Sequence, residues 1–185
     1  IADAIEIQLT PREAARLRRA ASIDPEAYQS YLEGRYLLNF RGAGRLEKSV
    51  GHFQQAIAHE PEYAPAYAGL ADAYTVLAGN GYRRAQDVLP LAKVAATKAV
   101  ELDAGSAEAH TSLGGVLQLQ DWDWDGAERE YRIAISLNAN YAFAHLRYST
   151  LLQSTGRLED ATAEAAYGQR LDPLAPRMRT ARAWG

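Results

Sequence analysis

The chain contains no cysteine, a single methionine and only three phenylalanines. Without thiols there is neither a disulfide framework nor a thiolate metal site, and the redox compartment is left open. No run of about 18 apolar residues occurs, so no segment reads as a membrane-spanning helix, and no secretory signal pattern opens the chain. A cytoplasmic location and no membrane partner are the expectations. An excess of positive charge is also missing: 20 Lys and Arg against 23 Asp and Glu leave a net charge of -3, which disfavours a polyanion as main partner. Arg16, Arg18 and Arg19, with Arg177, Arg179 and Arg182, make the two ends locally basic and read as solvated faces of terminal helices. Gly-x-Ser-x-Gly, a Walker loop and His-Glu-x-x-His are all lacking, and Gly42-Ala43-Gly44 is too short to cradle a phosphate. No catalytic residue, metal or cofactor is expected, and no direct contact with nucleic acid.

What is present is repetition. From Ala107 to Ala139 two apolar periodicities flank a short polar turn. Ala107, His110, Leu113, Gly114 and Leu117 recur at helical steps, and after Trp122-Asp123-Trp124-Asp125-Gly126 the same step returns in Ala127, Tyr131, Ala134 and Leu137. The pattern predicts a helical hairpin, with small residues where two helices approach closely. It recurs at a step of about 34 residues. Downstream stand Ala142, His145, Tyr148, Ser149 and Leu152, then Ala161, Ala165, Gly168 and Pro173. Upstream stand Ala64, Tyr67, Leu70, Ala71 and Tyr74, then Ala92, Ala96, Ala99 and Ala104; before them come Ala27, Leu32, Gly34 and Leu37, then Ser49, Phe53, Ala56 and Pro61. The 48% hydrophobic content is enough to bury a core, but a repeat array buries it between neighbours, so contacts should be local.

The divisions that follow are 25–61, 62–104, 105–139 and 140–173. Residues 1–24 carry two leading helices, broken at Thr10-Pro11, that either cap the array or end an upstream domain. Residues 174–185 open a fifth repeat without its second helix; its bare apolar face would let copies of the chain associate. The start at Ile1 and the stop at Trp184-Gly185 suggest a piece of something longer. Asp24-Pro25-Glu26 signals the first repeat helix. Around Gly79-Asn80-Gly81 lies the longest insertion, and Pro90 is tolerable if the next helix begins near Asp87, with the proline in its first turn.

Two constellations invite a metal reading. Asp121-Trp122-Asp123-Trp124-Asp125-Gly126 opens like a calcium loop, but the twelfth residue, where a bidentate glutamate is needed, is Arg132. A turn with Asp125 as N-cap and Glu128 closing a capping box is expected instead, with Trp122 and Trp124 packed on a neighbouring repeat. His110 and His145 hold equivalent places in adjacent copies, a place filled by Tyr67 one copy earlier, and read as packed rings. His52 and His59 have no ligand set around them.

The closing phrases Ile57-Ala58-His59-Glu60-Pro61, Val100-Glu101-Leu102-Asp103-Ala104, Ile135-Ser136-Leu137-Asn138-Ala139 and Gln169-Arg170-Leu171-Asp172-Pro173 are variants of one ending. With the repeat length, they make the stretch from Pro25 to Pro173 resemble tetratricopeptide repeats. The resemblance implies an all-α, right-handed superhelical solenoid of about four helix-turn-helix repeats, whose first helices line a concave face that binds a protein or peptide. Mapped by offset, that face would comprise Tyr28, Tyr31, Arg35 and Asn39; Ala68, Asp72 and Thr75; Thr111, Gly115 and Gln118; and Phe143, Leu146, Thr150 and Gln153. Tyrosine and arginine are residues in which interfaces concentrate energy; Tyr28 and Tyr31 could alternatively pack on the leading helices. The lysine, asparagine and arginine clamp by which some family members hold a chaperone carboxylate is missing, since Tyr31, Ala68 and Thr111 stand in its places. The Asp-Trp-Asp-Trp turn and the stretch Ala27 to Tyr36 also resemble arrays found in multidomain bacterial signalling proteins. A non-catalytic binding module is the expectation, and a self-associating or interdomain relay module the alternative.

Overall fold

The computed structural model describes residues 23–40 and 42–173. The leading helices expected before residue 23 and the truncated repeat expected after Pro173 lie outside the described residues. Eight α-helices make up the described residues: α1 (Pro25–Leu38), α2 (Ala43–His59), α3 (Ala64–Gly79), α4 (Ala85–Leu102), α5 (Ala107–Val116), α6 (Trp124–Leu137), α7 (Ala142–Ser154) and α8 (Leu158–Leu171). Helix α5 runs on into a π-helical turn, Leu117–Asp121.

Local chemistry sets the starts. Asp24 Oδ1 accepts from the N–H of Glu26 at 2.7 Å and of Ala27 at 3.1 Å, with Pro25 at the position where a missing N–H is harmless. Ser106 Oγ accepts from Ala109 N at 3.2 Å. The four second helices close alike, the N–H groups of Glu60, Asp103, Asn138 and Asp172 donating to Ala56, Ala99, Ala134 and Gly168. Pro90 departs from expectation. Helix α4 begins at Ala85, so the proline lies inside it and not in its first turn; the Gln86 carbonyl one turn back receives no N–H from it.

Helices pair within each copy, α1 with α2, α3 with α4, α5 with α6 and α7 with α8; the first helices also pack on one another, α3 on α1, α5 on α3 and α7 on α5. The result is the all-α solenoid expected, with an inner layer of first helices. Its packing is complementary in size. Phe53 in α2 and Tyr131 in α6 are fully buried and face glycines: a Cβ at Gly34 would lie 2.8 Å from Phe53, and one at Gly114 2.7 Å from Tyr131. The corresponding second-helix place in copy two holds Ala96, opposite Ala71, both without exposed surface. In the first three copies a ring meets glycine or alanine meets alanine, so side-chain size on one helix is matched by the other.

Ion pairs stitch the turn edge to neighbouring helices. Arg83 reaches Glu47 at 2.9 Å, Lys93 reaches Asp121 at 2.7 Å, and Arg157 reaches Glu128 at 2.9 Å.

Candidate functional site: the first-helix layer

Stacking decides which first-helix rows stay open. In the row four residues after the first alanine of each copy, Tyr31, Ala68, Thr111 and Leu146, Tyr31 packs on Tyr63 and Ala68 clusters with Ala109, both of the following copy. Ala68 is 3% and Thr111 1% exposed, and the Thr111 hydroxyl donates to the Ala107 carbonyl at 2.7 Å. Thr75, in a row shared with Gln118 and Gln153, is also buried. Thr75 and Thr111 are therefore corrected: covered by the next copy, they offer no side-chain surface to a partner. Gln118 is half-buried, its Oε1 accepting from the Tyr131 hydroxyl at 3.1 Å. In the last copy Leu146 is half-buried and Gln153 exposed. Asn39 is exposed at the C-cap of α1.

The open rows carry the chemistry. Tyr28 is exposed, Phe143 half-buried, and Arg35 and Asp72 half-buried. Arg35 Nη1 donates to Tyr31 Oη at 3.3 Å, and its guanidinium lies 5.9 Å from the Tyr31 ring. Tyr31 stacks edge-on against Tyr63 at 5.3 Å and meets Tyr28 at 6.4 Å and Phe53 at 6.2 Å. Asp72 Oδ1 accepts from Ser112 Oγ at 2.9 Å, which fastens α3 to α5. Tyr141, just before α7, meets Phe143 at 6.3 Å.

Electrostatics tie these groups into one patch. Burial works against the Arg35 charge, but the facing phenols of Tyr31 and Tyr141 and the carboxylates of Asp72 and Glu108 hold its pKa above the ordinary value. Burial pushes the Tyr141 and Tyr63 phenols up. The groups acting on Arg35 come from all four copies, Tyr31 from the first, Asp72 from the second, Glu108 from the third and Tyr141 from the fourth. Tyr63 and Tyr141 are missed by offsets taken only within the helices, whereas Glu108 lies inside α5, one residue after Ala107 as Tyr28 is after Ala27, and is passed over. The repeated phrase Tyr-Ala-x-Ala, at Tyr63 and Tyr141, is the signal that could have found two of them.

The packed rings at the joints share a second design. His110 Nδ1 lies 2.6 Å from Glu130 Oε2 and its Nε2 3.1 Å from the Ala104 carbonyl; His145 repeats this with Glu164 at 2.6 Å and Ala139 at 3.0 Å. Each ring thus bridges a glutamate carboxyl of its own copy and the last carbonyl of the copy before. Bonding to Glu130 outweighs burial and raises the His110 pKa. Tyr67, at the same place, donates to the Pro61 carbonyl at 3.0 Å. Among the described residues, Asp24, Glu26 and His59 come close enough to hold an ion, but Asp24 already caps α1 and His59 pairs with Glu26 at 3.3 Å.

The turn between α5 and α6 differs from expectation. Asp123, not Asp125, is the N-cap of α6, accepting from Gly126 N at 2.9 Å. Trp122 is 73% and Trp124 37% exposed, so neither is packed away on a neighbouring repeat. No helix among the described residues is long and apolar enough to cross a membrane.

No protein-family model matches the chain. Superkiller protein 3 of Schizosaccharomyces pombe is 34% identical over 99 residues, which make up 53% of this chain and 6% of that protein. Among solved structures, a thermophilic TPR protein of Thermus thermophilus, TTC0263, superposes with a TM-score of 0.68 at 23% identity, over 90% of this chain and 85% of that one. An O-GlcNAc transferase of Thermobaculum terrenum aligns with a TM-score of 0.60 at 19% identity, over 90% of this chain but 28% of its own length. These likenesses concern the fold.

Proposed function

Since the chain has the tetratricopeptide-repeat fold, we propose that it is a non-catalytic module that binds a peptide or protein segment on the concave face of the array. The observation that carries this reading is the first-helix cluster in which Arg35 Nη1 donates to Tyr31 Oη at 3.3 Å while Tyr28 and Tyr63 lie against the same ring, at 6.4 and 5.3 Å. A half-buried arginine among aromatic rings is the kind of group in which binding energy concentrates, and Tyr28, Phe143 and Leu146 extend the patch with apolar surface. Asn39, Gln118 and Gln153 lie at its margins. The working units are 25–61, 62–104, 105–139 and 140–173, with no cofactor or metal assigned. The resemblance of the Asp-Trp-Asp-Trp turn and of Ala27 to Tyr36 to arrays in bacterial signalling proteins supports placing the module, in the cytoplasm, within a larger regulatory protein.

The test is a peptide-library selection against the chain, followed by affinity measurement on an Arg35→Glu, Leu146→Glu double variant whose circular dichroism matches the parent. Reversing the charge at Arg35 should weaken the selected peptides by about tenfold or more. Equal affinity for both forms would remove the concave face from consideration.

A further inference from the structure

Among the described residues two arginines are half-buried, Arg35 and Arg147, and the other arginines are exposed. The exposed Arg83, Arg84, Arg132 and Arg157 each hold a carboxylate. The two half-buried ones form no ion pair among the described residues and rest on phenols instead. Arg35 Nη1 donates to Tyr31 Oη at 3.3 Å, and the Arg147 guanidinium bonds the Tyr131 hydroxyl. Arg147 is rooted on α7, yet its head lies against α5, where a Cβ at Gly115 would collide with Nη2. Gly115 stands in the row of Arg35 and Asp72, eight residues after the first alanine of its copy. The glycine leaves its place in that row without a side chain, and a guanidinium from the next copy fills it.

A half-buried guanidinium has given up part of its hydration, and a single phenol oxygen leaves most of its N–H donors for another acceptor. Asp72 and Glu108 act on Arg35, but a serine bonds each of them: Ser112 Oγ donates to Asp72 Oδ1 at 2.9 Å and Ser106 Oγ to Glu108 Oε2 at 3.1 Å. The planar fork of an arginine matches a carboxylate in geometry and charge. A phosphate, with more negative charge, would be set back further by Asp72 and Glu108. Resting on the concave-face reading above, we propose that the segment bound there is acidic, with one internal Asp or Glu side chain pairing with Arg35 and a second with Arg147, which reaches the open row across Gly115.

The test follows the arginine Nε–H resonances of the isotopically labelled chain while capped Glu-Gly-Glu-Gly-Glu is added, with the glutamine and phosphoserine analogues and an uncapped all-glycine peptide of equal length as comparison probes. The Arg35 and Arg147 signals should shift saturably with the glutamate peptide and not with the glutamine one. Arg147→Gln should raise the Kd about fivefold or more, and Arg147→Lys, which keeps the charge without the fork, should give a smaller loss at an unchanged melting temperature. An equal response to the glutamine peptide, an unchanged Kd in both Arg147 variants, or tighter binding of the phosphoserine or uncapped glycine peptide would each overturn the proposal. If library-selected peptides lose affinity for the Arg35→Glu, Leu146→Glu variant yet bind the parent equally with their acids changed to amides, the concave face stands and its acidic ligand falls.

Discussion

Glycine has opposite worth at two places in this chain, and the difference is steric. Gly51 lies in the middle of α2 with nothing near a prospective Cβ, whereas a Cβ at Gly114 would meet the fully buried Tyr131 ring. Gly51→Ala should stabilise by about 0.5–1 kcal/mol through helix propensity, and Gly114→Ala should destabilise by about 1–3 kcal/mol through overpacking. Urea denaturation of both variants checks the opposite signs. His110 offers a second expectation at this scale. Its folded pKa is raised, so the stability it contributes is fully present below the unfolded value of about 6.5 and is lost as pH rises through the folded value. Chemical denaturation between about pH 6 and pH 8.5 should show stability falling with pH, and His110→Gln should flatten part of that slope.

At the scale of elements, what the sequence makes legible is periodic and what it hides is competitive. The helices are readable because small residues recur where backbones approach, and α1 because Asp24-Pro25-Glu26 offers a cap and a proline together. The turn after α5 is misread since three aspartates compete for one capping role. Asp125 with Glu128 satisfies the sequence pattern, yet the π-helical extension to Asp121 delays the helix start and hands the cap to Asp123. Pro90 is misjudged because a helix that gains tertiary packing along Val88, Leu89, Ala92, Ala95, Ala96 and Ala99 tolerates a missing backbone bond that local preference forbids. The candidate surface is half legible. Offsets identify Tyr28, Arg35, Asp72 and Phe143, but a side chain's offset does not say whether another repeat follows to cover it, and Thr75 and Thr111 fail on that ground.

For the whole molecule, stability is a sum over neighbours. Helix α3 touches α1, α2, α4 and α5, while α8 packs on α7 and buries only Ala161 and Gly168 among its described residues. Native-state amide exchange should be slowest in α3 and fastest in α8; uniform protection across the helices would mean that the array opens as one unit.

The donor placed at each joint, Tyr67, His110 or His145, also bears on how the copies diverged. One turn before the closing carbonyl, the second helix carries Ala95 in the copy with tyrosine and Glu130 or Glu164 in the copies with histidine, so the larger ring accompanies the smaller neighbour. Tyrosine and histidine codons differ by one base, and either side chain keeps the bond to the preceding copy's last carbonyl. A duplicated unit can therefore exchange one ring for the other and keep its fastening to the copy before.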